Sequence, residues 1–140
     1  MSYAGDLTPA QAWDRLASGA TLVDVRTDAE WTHLGIPDTS GTGRQPLFIE
    51  WKLAGGLPNG EFLAQLQARV PAPAGTELIF LCRSGVRSIA AAEAATAAGY
   101  TAYNVLEGFE GEQDAYGDRT VNGWKNRRLP SRERSSNEQL

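Results

Sequence analysis

The sequence predicts an α/β fold with a mostly parallel central sheet and helices on both faces. Three observations predict it. Leu78-Ile79-Phe80-Leu81 is a continuous apolar run, too short for a helix, and reads as a buried strand. The alanine-rich stretch from Ile89 onward stops at Gly99 and reads as a helix with a glycine stop. A second apolar run, Leu22-Val23-Asp24-Val25, is likewise followed by a helix signal at Thr27. Strands alternating with helices give a parallel sheet covered on both sides.

Thr8-Pro9-Ala10-Gln11 opens the first helix. Thr8 suits the N-cap, Pro9 the first helical position, and Gln11 completes a capping box. Ala12, Trp13 and Leu16 share its apolar face, and Gly19 ends it. The strand Leu22-Val23-Asp24-Val25 carries an aspartate among apolar residues. Such an acid is costly to bury without a partner, so Asp24 reads as a scaffold residue tying down a loop. Thr27 then caps a short helix in which Glu30 closes a second capping box. His33 on that helix reads as solvated.

Residues 41–46 form a flexible loop by composition, with no P-loop lysine and no following helix. Leu47-Phe48-Ile49-Glu50-Trp51 reads as a strand at or near the sheet edge. A second Gly/Pro loop leads to Asn59-Gly60-Glu61, the start of a helix with Phe62, Leu63, Leu66 and Val70 on one side. Residues 100–105 give a further strand. Residues 111–123 are polar and glycine-rich. The expected organisation is one domain over residues 1–130, followed by a solvated, frayed polar tail over 131–140.

A chain of 140 residues suffices for one domain with a real core. Thirteen Lys and Arg against seventeen Asp and Glu give a net charge of −4. An acidic body does not suit nucleic-acid binding. No apolar run approaches the roughly 20 residues of a membrane span, and the first residues lack the pattern of a signal peptide. A single cysteine excludes an internal disulfide, and with a single histidine it makes a poor metal site. No cofactor is expected, and a free thiol suits the reducing cytoplasm.

That cysteine lies between the buried strand and the alanine-rich helix. A strand feeding a helix through a tight loop points backbone N–H groups at one place, which binds anions. A thiol there is expected to be acidified and nucleophilic, and Arg83 and Arg87 add fixed positive charge.

Cys82-Arg83-Ser84-Gly85-Val86-Arg87-Ser88 resembles the active-site loop of rhodanese-type sulfurtransferases. Asp24-Val25-Arg26, the acidic–aromatic pair Glu30-Trp31, and Gly123-Trp124 followed by Leu129-Pro130 are similar to other family segments, in the family's order. Gly35-Ile36-Pro37 lacks the histidine the family usually carries there, and Phe109 stands where a second glycine is usual.

The resemblance implies a single rhodanese-like domain of the thiosulfate sulfurtransferase type. Cys82 is then the nucleophile and forms a persulfide. Arg83, Ser84, Gly85, Val86, Arg87 and Ser88 bind a small sulfur donor such as thiosulfate, and a thiol or cyanide accepts the sulfur. The arginines would hold the donor's oxyanions; Arg87 could instead lock the loop through Glu107 or Asp24. Ser84 and Ser88 could donate hydroxyl hydrogen bonds, and Gly85 permits the turn.

Three alternatives stand beside this. A cysteine phosphatase would use a similar loop, but Arg87 follows Cys82 after four residues, one fewer than the five of that pattern. A persulfide carrier or redox sensor would hand sulfur to a protein acceptor through the same loop. Mercaptopyruvate as donor usually goes with smaller loop residues than Arg83 and Arg87.

Overall fold

A computed structural model describes residues 2–140. Its main sheet has five parallel strands in the order β1 (Gly5–Leu7), β6 (Thr101–Val105), β5 (Glu77–Leu81), β2 (Thr21–Asp24) and β4 (Leu47–Phe48). Four helices connect and cover it: α1 (Pro9–Ala17), α2 (Asp28–Leu34), α3 (Phe62–Arg69) and α4 (Arg87–Ala97). A separate antiparallel pair joins β3 (Ile36–Pro37) to β7 (Ser131–Arg132).

The alternation of side chains along β5 sorts the two cores. Leu78, Phe80 and Cys82 face Phe62 and Leu66 of α3 and Ala91, Ala92 and Ala95 of α4. Ile79 and Leu81 face the other way, onto Ala12 and Leu16 of α1 and onto Phe109 and Trp124. Full enclosure of Leu78 or Phe80 is worth about 1.5–3 kcal/mol each. The small side chains of α4 let that helix lie close to the sheet, which brings its first turn beside the end of β5.

Both predicted capping boxes form. The Thr8 hydroxyl accepts from Gln11 N at 3.1 Å while Thr8 N donates to Gln11 Oε1 at 3.0 Å. Thr27 and Glu30 reciprocate in the same way, both at 3.2 Å. The fourth strand is at the edge, as expected, although only Leu47 and Phe48 are laddered.

Three features differ from the sequence reading. Strand β1 precedes the first helix; Gly5-Asp6-Leu7 has no strand pattern of its own and is extended because it pairs with Tyr103, Asn104 and Val105. Helix α4 begins at Arg87, two residues before its apolar face, so the loop is shorter than composition suggests. The tail after Pro130 is not frayed. Ser131 and Arg132 pair with Pro37 and Ile36, Arg134 reaches Asp28 at 2.6 Å, and Leu140 packs against Trp31, Ile36 and Phe48. Its arginines found acidic partners that composition could not reveal.

Candidate active site

Cys82 follows directly on β5, and residues 82–86 bridge to α4. Two glycines make the bridge possible. Gly85 has φ +97°, and a Cβ there would lie 3.4 Å from Glu107 N and Val105 O. Gly108 has φ +66°, and a Cβ there would meet the backbone of Arg83 and Ser84 at 2.6 Å. The turn after β6 therefore sits directly against the cysteine loop.

That contact orients the loop's peptides. Phe109 N donates to Cys82 O at 2.7 Å, and Glu110 N and Gly111 N donate to Arg83 O at 2.9 and 3.2 Å. In a trans peptide the N–H points opposite to the C=O. Anchoring these two carbonyls on residues 109–111 therefore turns the N–H groups of Arg83 and Ser84 to the loop's other side. Gly85 N–H donates to Cys82 Sγ at 3.1 Å, and the Ser88 hydroxyl lies 3.1 Å from the same sulfur. The thiol is thus held by one amide and one hydroxyl. It is also only 1 % exposed, more enclosed than a freely presented nucleophile. Loop formation has drawn it beneath the chain that follows it.

The predicted site residues stay together but differ in setting. Ser88 is buried beside the sulfur, Arg83, Ser84 and Gly85 are half-buried, and Val86 is 72 % exposed. Arg83 pairs with Glu110 at 3.3 Å, with much of its side chain in solvent. Arg87 is engaged more fully: Nη1 and Nη2 donate to Glu30 Oε1 and Oε2 at 2.7 and 2.9 Å. The acidic partner is Glu30, neither of the two that the sequence suggested. Glu107 is already paired with Arg127 at 3.0 Å, and Asp24 with Arg26 at 2.7 Å.

Burial pushes the Glu30 carboxyl up, but the Arg87 hydrogen bond and charge, aided by Thr27 N–H and Arg26, bring it below its ordinary value. The same hydrogen bond raises Arg87 above its ordinary value against the cost of burial, with smaller contributions from Cys82 and Asp24. Asp24 and Arg26 are both fully buried and joined through three further contacts of 3.0–3.1 Å. Arg26 also donates to Gly35 O at 3.0 Å and lies over the Phe109 ring at 4.2 Å. Asp24 thereby holds the strand end and the turn after α2.

A cavity of about 780 Å³ opens beside the loop. Arg83 and Arg87 form one wall; α2 contributes Glu30 and His33, and residues 52–56 close the far side. Among the described residues no group of three or more metal-ligating side chains occurs, and no helix is long and apolar enough to cross a membrane.

Sequence reading missed Glu30 as the anchor of Arg87 and Asn104 as a neighbour of Ser88. Asn104 left a signal: a fully buried amide within the strand Thr101–Val105 must find hydrogen-bond partners.

A sequence model of the rhodanese-like domain matches residues 8–115. An uncharacterized protein of Rickettsia rickettsii, described as an RP600 homolog, is 40 % identical over 124 residues, covering 86 % of this chain and 90 % of the relative. The crystal structure of Rv0390 from M. tuberculosis superposes with a TM-score of 0.87 at 52 % identity, covering 94 % of this chain and 98 % of the other. The polysulfide-sulfur transferase homodimer from Wolinella succinogenes shares the fold, with a TM-score of 0.66 at 22 % identity, over 99 % of this chain and 84 % of that one.

Proposed function

This chain belongs to the rhodanese-like domain family, and from that premise we propose that it transfers a sulfane sulfur through a persulfide on Cys82. The observation that carries the proposal is the sulfur of Cys82 held by Gly85 N–H and Ser88 Oγ inside a strand–helix loop. Sulfur is large, polarisable and anionic in its reactive form, and such donors suit it.

The Cys82 proton leaves to solvent, and the thiolate attacks the outer sulfur of thiosulfate. The new S–S bond forms as the old one breaks, and sulfite departs with the bonding pair. An acceptor thiolate, or cyanide in an assay, then attacks the outer sulfur of the persulfide, and Cys82 leaves as thiolate. The covalent intermediate makes the kinetics ping-pong. Arg83, half-exposed and facing the cavity, is the group we assign to the donor's oxyanions. The amide of Gly85 and the Ser88 hydroxyl serve the sulfur. Arg87 serves by shaping the loop, since its guanidinium is engaged by Glu30. The same engagement argues against phosphate-ester hydrolysis, where an arginine must be free to clasp phosphate.

The cavity is far larger than thiosulfate needs, which supports an acceptor thiol carried on a larger molecule. One observation favours a persulfide carrier as second reading: Val86, an apolar residue on the loop itself, stands exposed where a protein acceptor would touch it. In either case the proposed setting is the reducing cytoplasm.

Mass spectrometry before and after thiosulfate treatment tests the proposal. The wild type gains one sulfur on Cys82 and passes it to cyanide or a thiol; Cys82→Ser gains none while keeping its fold. Sulfur transfer that survives in Cys82→Ser would overturn it. Loading with transfer only to a protein would select the carrier.

A further inference from the structure

The sheet register aligns a row of polar groups that ends at the nucleophile. Asp6 of β1 stands opposite Asn104 of β6, and Asn104 opposite Phe80 of β5. Residues paired across parallel strands share a face, so Asp6 and Asn104 point to the same side as Phe80 and, two residues on, Cys82. The side chains connect. Asn104 Nδ2 donates to Asp6 Oδ1 at 3.0 Å, the Ser88 hydroxyl meets Asn104 Oδ1 at 2.5 Å, and Ser88 Oγ lies 3.1 Å from Cys82 Sγ. Asn104 and Ser88 are fully buried; Asp6 reaches solvent and also accepts from the Tyr3 hydroxyl at 2.8 Å.

Hydrogen-bond direction along this row is forced. An ionised carboxylate only accepts, so the amide of Asn104 must turn its NH₂ toward Asp6 and its oxygen toward Ser88. That oxygen also only accepts, and Ser88 has one proton to give. With that proton committed to Asn104, the hydroxyl offers the sulfur a lone pair. Cys82 must then be the donor, which is the bonding of a thiol.

We propose that Asp6 and Asn104 are positioning residues for Cys82, acting through Ser88 to fix which partner holds the proton between hydroxyl and sulfur. When the sulfur becomes a thiolate or persulfide, the Ser88 hydroxyl turns over and donates to it, and the row relaxes behind it. No covalent bond breaks in the row, only the Ser88 hydrogen bond to Asn104; the thiol proton itself leaves to solvent. The other charged groups around the loop are paired with each other and not with the row: Arg87 with Glu30, Arg26 with Asp24, and Arg83 with Glu110.

This inference rests on Cys82 being the working nucleophile, but its test reads the thiol and not sulfur transfer. Cys82 is the only cysteine, so ultraviolet thiolate absorbance, corrected with Cys82→Ser, reports it alone. Asp6→Asn is nearly isosteric and can donate to Asn104. The Asn104 amide can then reverse and free the Ser88 proton for sulfur. The expected result is a thiolate midpoint about one pH unit lower than wild type, a tenfold change in the ionisation constant. In a Ser88→Ala background the same Asp6→Asn change has no effect, because the link is cut. An unmoved midpoint in Asp6→Asn overturns the proposal. So does an equal shift in the Ser88→Ala background, which would mean that charge acts through space. If the midpoint moves as expected while thiosulfate adds no sulfur, the positioning stands and the sulfurtransferase reading fails.

Discussion

Arg87 presents both Nη atoms to the carboxylate of Glu30, at 2.7 and 2.9 Å, and so ties the first turn of α4 to the first turn of α2. Glu30 already closes the capping box of its own helix through Thr27. One carboxylate therefore sets the start of α2 and the far end of the cysteine loop together.

Glu30→Gln should cost stability and turnover at once. The pair is neither exposed nor fully enclosed, so the loss should fall at about 1–2 kcal/mol, between the exposed and buried limits. Loosening the loop should lower thiosulfate kcat/KM by about tenfold. The folded-state carboxyl lies below its ordinary value, so its contribution is complete above the unfolded value of about 4.3 and is lost as pH falls through the folded value. Urea unfolding of wild type and variant should therefore converge toward acid pH. A constant gap down to strongly acid pH would refute the ionic account.

Gly108→Ala should damage the cysteine loop directly. The added Cβ meets backbone at 2.6 Å and the residue keeps a positive φ, so neither partner can yield cheaply. A loss of more than about 1 kcal/mol is expected, with displacement of Arg83 and Ser84 and reduced sulfur loading. Full loading and an unchanged thermal midpoint would show that the turn after β6 does not brace the loop.

Arg83→Ala should separate binding from folding. Its contact with Glu110 is long and its own side chain is half-exposed, but the Glu110 carboxylate it leaves behind is buried, so the stability change should be modest, about 1 kcal/mol. Removing a charge-assisted contact to an oxyanion should lower thiosulfate kcat/KM by about tenfold, mostly through KM. Thiosulfate kinetics equal to wild type would strip Arg83 of its assigned part.

Apart from β1, the strands and helices that carry the sheet were legible because each obeys a local rule. Leu78 to Leu81 is apolar without a break, Thr8 and Thr27 head their capping boxes, and the alanines of α4 stop at Gly99. Cys82 was legible as the point where strand meets helix. The partnerships were not. Glu30 with Arg87 spans 57 positions and Asp6 with Asn104 spans 98, and nothing local names either acid's partner. Register and helix packing create such pairs, and both are set by the whole core. The enclosure of Cys82 has the same origin: it depends on the turn at Gly108 closing over residues that lie far earlier in the chain.

The tail offers the clearest test of a feature that composition hid. Arg132 grips Glu138 through two contacts of 2.9 and 2.5 Å, Arg134 reaches Asp28 and Thr32 on α2, and Ser131 and Arg132 pair with β3. Deleting residues 131–140 should expose Trp31, Ile36 and Phe48 and loosen α2, lowering the thermal midpoint by several degrees, the change expected for about 1 kcal/mol. Arg132 drives the Glu138 carboxyl down to about 2, so this grip persists from neutral pH into strong acid and is released only near that value. Hydrogen exchange of the Arg132 amide, in the pair with Ile36, should at neutral pH be slower than that of a free peptide. Exchange at the free-peptide rate, or a deletion that leaves the thermal midpoint untouched, would return the segment to a solvated end.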